Sequence, residues 1–291
     1  MSVALALPTE AAAVPIVVLI AALLHAVWNA LAHGAGDKTA VFTLMNATTA
    51  GCAAVMVCCT TLPNAAAWPY IATSAWLQVA YQLLLLQAYR LGDFGQMYPI
   101  ARGTSPLLVA LASTTVLGQP MPAWNAVGVL VISLGLAGLA LADGMPGRAQ
   151  LPALAAALGT GVMIASYTLV DAAGVRKSDT VAGYVAWLFL SQSLAFLLPV
   201  CLTRGRSLTG RLRAVGWRGP AGGVLSLLAY GLVVWAQARG NVPTIAALRE
   251  TSIVFAALIG LLVFRESFGH RRLTASAAVL TGIAVLELAH T

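Results

Sequence analysis

Residues 101–111 read "ARGTSPLLVAL", and residues 248–258 read "LRETSIVFAAL". Placed side by side, Arg102 meets Arg249, Thr104 meets Thr251, Ser105 meets Ser252 and Leu111 meets Leu258. Leucine matches between apolar segments arise easily by chance, so they carry little. An Arg-x-Thr-Ser pattern set twice into apolar, helix-length runs is harder to dismiss. Upstream, "AYQLLLLQAYR" (Ala80–Arg90) aligns without a gap on "AYGLVVWAQAR" (Ala229–Arg239), sharing Ala, Tyr, Leu and the final Arg. A shift of two residues joins the two registers. The chain therefore reads as one unit followed by its copy.

The surroundings of these stretches set the class. Of 291 residues, 60% are hydrophobic and only 9% charged, and the mean hydropathy is +0.88. A soluble domain needs far more polar surface. Apolar runs recur over residues 14–33, 40–61, 70–90, 98–117, 123–142, 151–172, 181–202, 219–238, 244–264 and 272–289. Each is long enough to cross about 30 Å of hydrocarbon as a helix. Turn formers fill the short connections, and the longest runs from Thr203 to Gly219. The first run lacks a basic leader and is followed by similar runs, so it reads as a span and not as a cleaved signal. The sequence thus predicts an all-α polytopic membrane protein with ten transmembrane helices. Five spans per copy is an odd number, so the copies cross the membrane in opposite senses. That is the inverted-repeat plan of many secondary transporters, built around a central cavity.

Charge and cysteine usage narrow the function. The net charge of +7 is spread over loops, which fits contact with anionic lipid and not with nucleic acid. Counting Lys and Arg by loop gives 11 after odd-numbered spans and 3 after even-numbered ones, Arg102 and Arg249 set aside. The positive-inside rule then places both termini outside the cytoplasm. Cys52, Cys58, Cys59 and Cys201 fall inside predicted spans without metal-type spacing, so they read as apolar filler. No cofactor or metal site is expected. No phosphate-binding loop occurs and the chain has two lysines, which argues against an ATP-driven motor. The rival readings are a membrane-embedded lipid-processing enzyme and a non-transporting accessory subunit. The four histidines are scattered and the acids form no paired pattern, as such an enzyme would need. A homodimer is compatible with the sequence, but nothing in it requires one.

A charge within the bilayer costs several kcal/mol unless it faces water or a partner. Arg102 and Arg249 each follow a proline suited to a helix start, Pro99 and Pro243. They are candidates to grip the acidic end of a substrate through two bonds. Snorkelling to the headgroups is the plainer alternative. Glu250 lies about 100° around the helix from Arg249 and is expected to serve another helix or a proton site. Further candidates form two stripes, His25, Trp28 and Asn29 in the first span, and Tyr167, Thr168 and Asp171 in the sixth. Tyr81 and Tyr230 occupy matching mid-span positions. Asp171 joins Glu250 as a candidate for coupling or gating, while Trp68 and Tyr70 read as interfacial belt residues.

These stretches also carry a family likeness. "LLHAVWNAL" in the first span, "AYRLGDFGQMYPIARGTSPLL" across the third and fourth, "ALRETSIVFAALIG" in the ninth and "FRESF" after it resemble the drug/metabolite transporter superfamily. More closely, the chain looks like proteins with two EamA-type domains, here residues 1–146 and 147–291, each a five-helix repeat. One departure is "GQPM" at Gly118–Met121, where many such proteins carry Gly-Glu-Arg-Leu. The resemblance implies a multi-pass protein of the bacterial cytoplasmic (inner) membrane. Its expected activity is export or exchange of small acid-bearing or zwitterionic metabolites, such as amino acids.

Overall fold

The computed structural model describes residues 8–33, 36–92, 94–115, 118, 121–141, 147–204, 207–262 and 270–288. All regular structure among them is helical. In chain order the helices are α1 (Pro8–His33), α2 (Lys38–Cys59), α3 (Trp68–Leu91), α4 (Phe94–Thr115), α5 (Ala123–Ala140) and α6 (Leu151–Val175). They continue with α7 (Val181–Arg204), α8 (Ser207–Val215), α9 (Arg218–Gln237), α10 (Val242–Leu248), α11 (Thr251–Leu262) and α12 (His270–Leu288). The "FRESF" stretch, Phe264–Phe268, lies outside the described residues, as do Gln119 and Pro120 of "GQPM".

Local chemistry accounts for where the helices start. Asp37 caps α2, its carboxylate accepting from the Ala40 N–H at 3.1 Å, and Asn241 caps α10 by accepting from the Thr244 N–H at 3.1 Å. Prolines stand in the first turns of α3, α6 and α10, where a missing N–H costs nothing. Every predicted span is occupied by a helix, with two corrections. The ninth is not continuous: it breaks between α10 and α11 at Arg249 and Glu250. There Glu250, Ser252 and Ile253 donate to carbonyls three residues back, which tightens the turn and interrupts the α-helical ladder. Polar side chains at that point and the tightened turn leave backbone groups to be satisfied from other helices.

The second correction is α8, inside what reads as the longest loop. Leu212 and Val215 of this short helix pack with Trp28, Ala40, Val41 and Met45. Arg211 of the same helix pairs with Asp37. Burial pushes the Asp37 carboxyl up, but the Ala40 N–H and the Arg211 guanidinium outweigh it and hold the group below its ordinary value.

Among the described residues, six segments are long and apolar enough to cross a membrane: Ala13–Ala32, Lys38–Cys59, Ala123–Ala140, Arg148–Val175, Val181–Thr203 and Arg218–Gln237. Exposed Leu130, Leu134, Leu194, Leu198 and Leu202 face outward, while Asn46, Gln78, Ser133, Thr160 and Asp171 are buried. Apolar outside and polar inside is the distribution expected of helices dissolved in hydrocarbon. α3 and α4 fall short on hydropathy because they carry polar interior residues, among them Gln78, Gln82 and Arg102. The α10–α11 segment falls short because it is broken.

Helix pairing follows a rule. α3 packs on α6 as α1 packs on α9, α4 on α6 as α1 on α10 and α11, and α2 on α9 as α3 on α7. α2 meets α7, and α5 meets α12. Exchanging α1 to α5 for α6, α7, α9, the α10–α11 pair and α12 returns these main contacts, though not every smaller one. Small residues permit these approaches. A Cβ on Gly223 of α9 would stand 2.6 Å from the Met45 carbonyl oxygen on α2, and one on Gly161 of α6 would stand 2.9 Å from the Ala101 carbonyl oxygen on α4.

Candidate functional site

A cavity of ≈ 80 Å³ opens among α1, α2, α3, α4, α6, α7, α9 and the α10–α11 break. Among the described residues, α5 and α12 add nothing to its wall. Seven predicted residues line it: His25, Trp28, Tyr81, Arg102, Tyr167, Tyr230 and Arg249. From His25 to Arg249 they span 224 residues of sequence, yet helix packing brings them to one chamber.

The aromatic residues form a connected wall. Tyr81 and Tyr167 meet edge to face with centroids 5.7 Å apart, Tyr167 meets Tyr230 at 5.7 Å, and Tyr230 meets Phe189 at 5.9 Å. His25 and Trp28 stack edge to face at 4.9 Å. T-shaped pairs of this kind add to the stabilisation from burial alone and fix ring orientation.

The two arginines point inward, not to the headgroups: Arg102 is 4% exposed and Arg249 is 6% exposed. Their partners differ. Arg102 reaches from α4 to the break in the other half. Its Nη2 donates to the Arg249 carbonyl at 3.2 Å and to the Ser252 hydroxyl at 2.9 Å. Its Nε stands 3.0 Å from Glu250 Oε2. Neither of these two atoms has a well-directed hydrogen bond, so the contact is an ion pair held by charge. Glu250 thus pairs with a residue of another helix. Arg249 Nη1 donates to the Thr168 hydroxyl at 3.4 Å, and its guanidinium lies 5.7 Å from the centre of the Tyr230 ring. Among the described residues no carboxylate lies within ion-pair distance of Arg249.

The reason for this asymmetry is a single aligned position. Glu250 of "RETS" corresponds to Gly103 of "RGTS". A Cβ on Gly103 would sit 2.9 Å from the Leu136 Cβ, so α5 packs too tightly there for a side chain. The first half supplies no acid to match Glu250. Among the described residues, charge in the wall thus comes as one ion pair and one cation without a carboxylate partner.

Three predicted residues lie off the wall. Asp171 is fully buried behind it, accepting from Tyr230 Oη at 2.5 Å, Tyr184 Oη at 2.9 Å and Gln78 Nε2 at 3.3 Å. It does not face the headgroups, and Tyr230 links it to the cavity. Glu250 sits behind Arg102. Asn29 is not among the lining residues; its amide donates to the His25 carbonyl of its own helix at 2.9 Å, a bond short polar side chains readily make. Trp68 is partly exposed and meets Trp187 edge to face at 5.0 Å. Tyr70 accepts from Lys177 at 2.6 Å.

Several lining residues escape the sequence reading: Asn46, Gln78, Gln82, Phe189 and Gln192. Asn46 Nδ2 donates to Gln82 Oε1 at 2.8 Å, tying α2 to α3. For Asn46, Gln78 and Gln82 the signal lies in the sequence. Thr39, Thr43, Asn46 and Thr49 recur at helical spacing in α2, as do Ser74, Gln78 and Gln82 in α3, and a polar stripe on an apolar helix marks an interior face.

Residues 151–288 match the EamA-like transporter family. The EamA match spans α6 to α12 and includes Tyr167, Asp171, Gln192, Tyr230, Arg249 and Glu250. It supports placing the chain with multi-pass membrane transporters of the drug/metabolite type. No curated protein matches the sequence. A protein known from its crystal structure, 18% identical, superposes with a TM-score of 0.76 over 95% of this chain and 98% of its own. At that identity the likeness speaks for the fold alone, and it extends the shared architecture over both halves.

Proposed function

We propose that this protein is a secondary transporter that carries small acid-bearing metabolites through the cavity, with Arg249 as the anchor for the acid. The single observation behind the anchor is the asymmetry of the two arginines. Arg102 is neutralised by Glu250. Arg249 lines the same chamber with a hydroxyl and a ring for company. A buried cation of this kind is costly unless an anion reaches it. A guanidinium grips a carboxylate, phosphate or phosphonate through two parallel bonds.

The transport cycle follows from the two halves. We take the ten helical segments as membrane spans and the halves as opposite in sense. The pairing pattern that survives their exchange supports this, as does the odd number of segments in each. Rocking of one half on the other would then open the chamber to each side in turn. The Arg102–Glu250 contact joins the halves at the broken helix and is the gate in this reading. Asp171, held by Tyr230 beside Arg249, is the candidate proton site.

The test uses purified protein in sealed lipid vesicles, with radiolabelled amino acids, hydroxy acids and simple carboxylic acids offered for counterflow. Uptake of an acid recovered chemically unchanged, abolished in Arg249→Ala protein that still unfolds cooperatively, is the expected result. Conversion of the acid would indicate an enzyme. Uptake unaffected by Arg249→Ala would remove the anchor.

A further inference from the structure

Helix α8 has no part in the exchange of the two halves. The matching connection in the first half, between α2 and α3, holds a three-residue turn, Ala65–Ala67. The apolar side chains Leu212 and Val215 of α8 pack in one cluster with Trp28, Met45 and Ala229, and those three also line the cavity. α8 therefore backs the part of the wall where α1, α2 and α9 meet. Its polar tie is weak. Arg211 meets the Asp37 carboxylate through Nε and Nη2, but the two side chains are 42% and 31% exposed, and exposed ion pairs hold loosely. Nine residues are too few to stay helical alone, so α8 keeps its form by docking. Just past its end Gly216 takes φ +60°, a conformation that suits glycine, with open space around it. A short helix, lightly tied and ending on a glycine pivot, is a part that can lift.

We infer that α8 is a lid: docked, it closes the cavity at the α1–α2 end of the molecule, and lifting about Gly216 frees the Trp28–Met45 seam and opens that end. This rests on the reading of the helices as membrane spans given above, and adds a moving part to it. The 22 residues of α2, about 33 Å of helix, separate this end from the α2–α3 connection, so the lid serves one face of the membrane. The other end is fastened differently. There the Asn64 N–H donates to the Ser178 carbonyl at 3.2 Å, and the Asn64 amide donates to Asp179 Oδ2 at 2.9 Å. Arg176 donates to the Gln237 and Gly240 carbonyls at 3.1 and 2.9 Å. These bonds do not involve α8, so weakening its tie opens one end and leaves the other shut.

The experiment reads access to the cavity in full-length protein lacking Cys52, Cys58, Cys59 and Cys201. Ala229→Cys puts a thiol in the cavity wall, and a small charged methanethiosulfonate reagent is applied to either face of sealed vesicles. A separate Gly210→Cys protein shows which face carries α8. Arg211→Glu sets a second carboxylate against Asp37 and is expected to speed the reaction roughly fivefold from the α8 face, with no change from the other. Adding Asp37→Asn, which still caps α2 and removes the repulsion, is expected to bring the rate back towards its starting value. Leu212→Ser is a second way to lift α8 and is expected to act as Arg211→Glu does. Equal acceleration from both faces overturns the lid, because the whole protein has then loosened. Unchanged rates in both Arg211→Glu and Leu212→Ser overturn it too, as does a thiol that reacts from neither face in any variant. Counterflow of a labelled acid in the same vesicles is judged separately. Its absence alongside one-sided acceleration removes the transporter reading and keeps the lid.

Discussion

Arg102 and Arg249 occupy matching places in the two halves, and one glycine separates their chemistry. With Gly103 pressed on Leu136, no acid can stand where Glu250 stands in the other half. Removing one member of a buried ion pair strands the other charge. Glu250→Gln is therefore expected to cost about 3–5 kcal/mol in stability. Replacing both members with apolar residues, Arg102→Met with Glu250→Leu, is expected to recover most of that loss, as measured by unfolding in detergent. Little or no destabilisation in Glu250→Gln would show that Arg102 does not depend on this partner. At this scale the sequence was informative about charge and less so about amides. An arginine in an apolar run stands out because a lone buried charge is so expensive. A glutamine costs less and hides among leucines, which is why Gln192 surfaces only with the structure. Asn29 shows the opposite limit: its place beside Trp28 reads as inward, but its side chain turns to its own helix.

At the scale of elements, hydropathy and turn residues located the helices well, because about 20 apolar residues bounded by Gly, Pro and Asn leave few alternatives. Two features depend on tertiary context. The break at Arg249–Glu250 has no glycine or proline at its centre; it is held by Arg102 donating to the Arg249 carbonyl from the other half. α8 is too short for a span signal, and its docking on α2 follows from Leu212 and Val215. The close contact of α2 with α9 offers a direct check. Gly223→Val drives a side chain into the Met45 carbonyl and is expected to cost about 1–3 kcal/mol. Gly222→Ala meets only the flexible Met45 side chain and is expected to be nearly neutral. Equal effects of the two, compared by thermal unfolding, would mean that backbone contact does not limit this interface.

For the whole molecule, the main helix contacts survive exchange of α1 to α5 for α6, α7, α9, the α10–α11 pair and α12. Orientation in the membrane follows from charge alone. Arginines gather in the connections after odd-numbered spans, so α8 is expected on the cytoplasmic side. Gly210 on α8 has open space around it. In a background without Cys52, Cys58, Cys59 and Cys201, a Gly210→Cys variant is expected to react with an impermeant maleimide only in inverted membrane vesicles. Labelling in intact cells would reverse the assignment. The account as a whole stands on a cation left for the substrate, and its most direct measurement is equilibrium binding of a labelled acid to three proteins: wild type, Arg249→Ala, and the apolar Arg102→Met, Glu250→Leu double variant. Binding lost only in Arg249→Ala is the expected result. Binding kept by Arg249→Ala and lost in the double variant would contradict the account, because the acid would then be held at the Arg102–Glu250 pair.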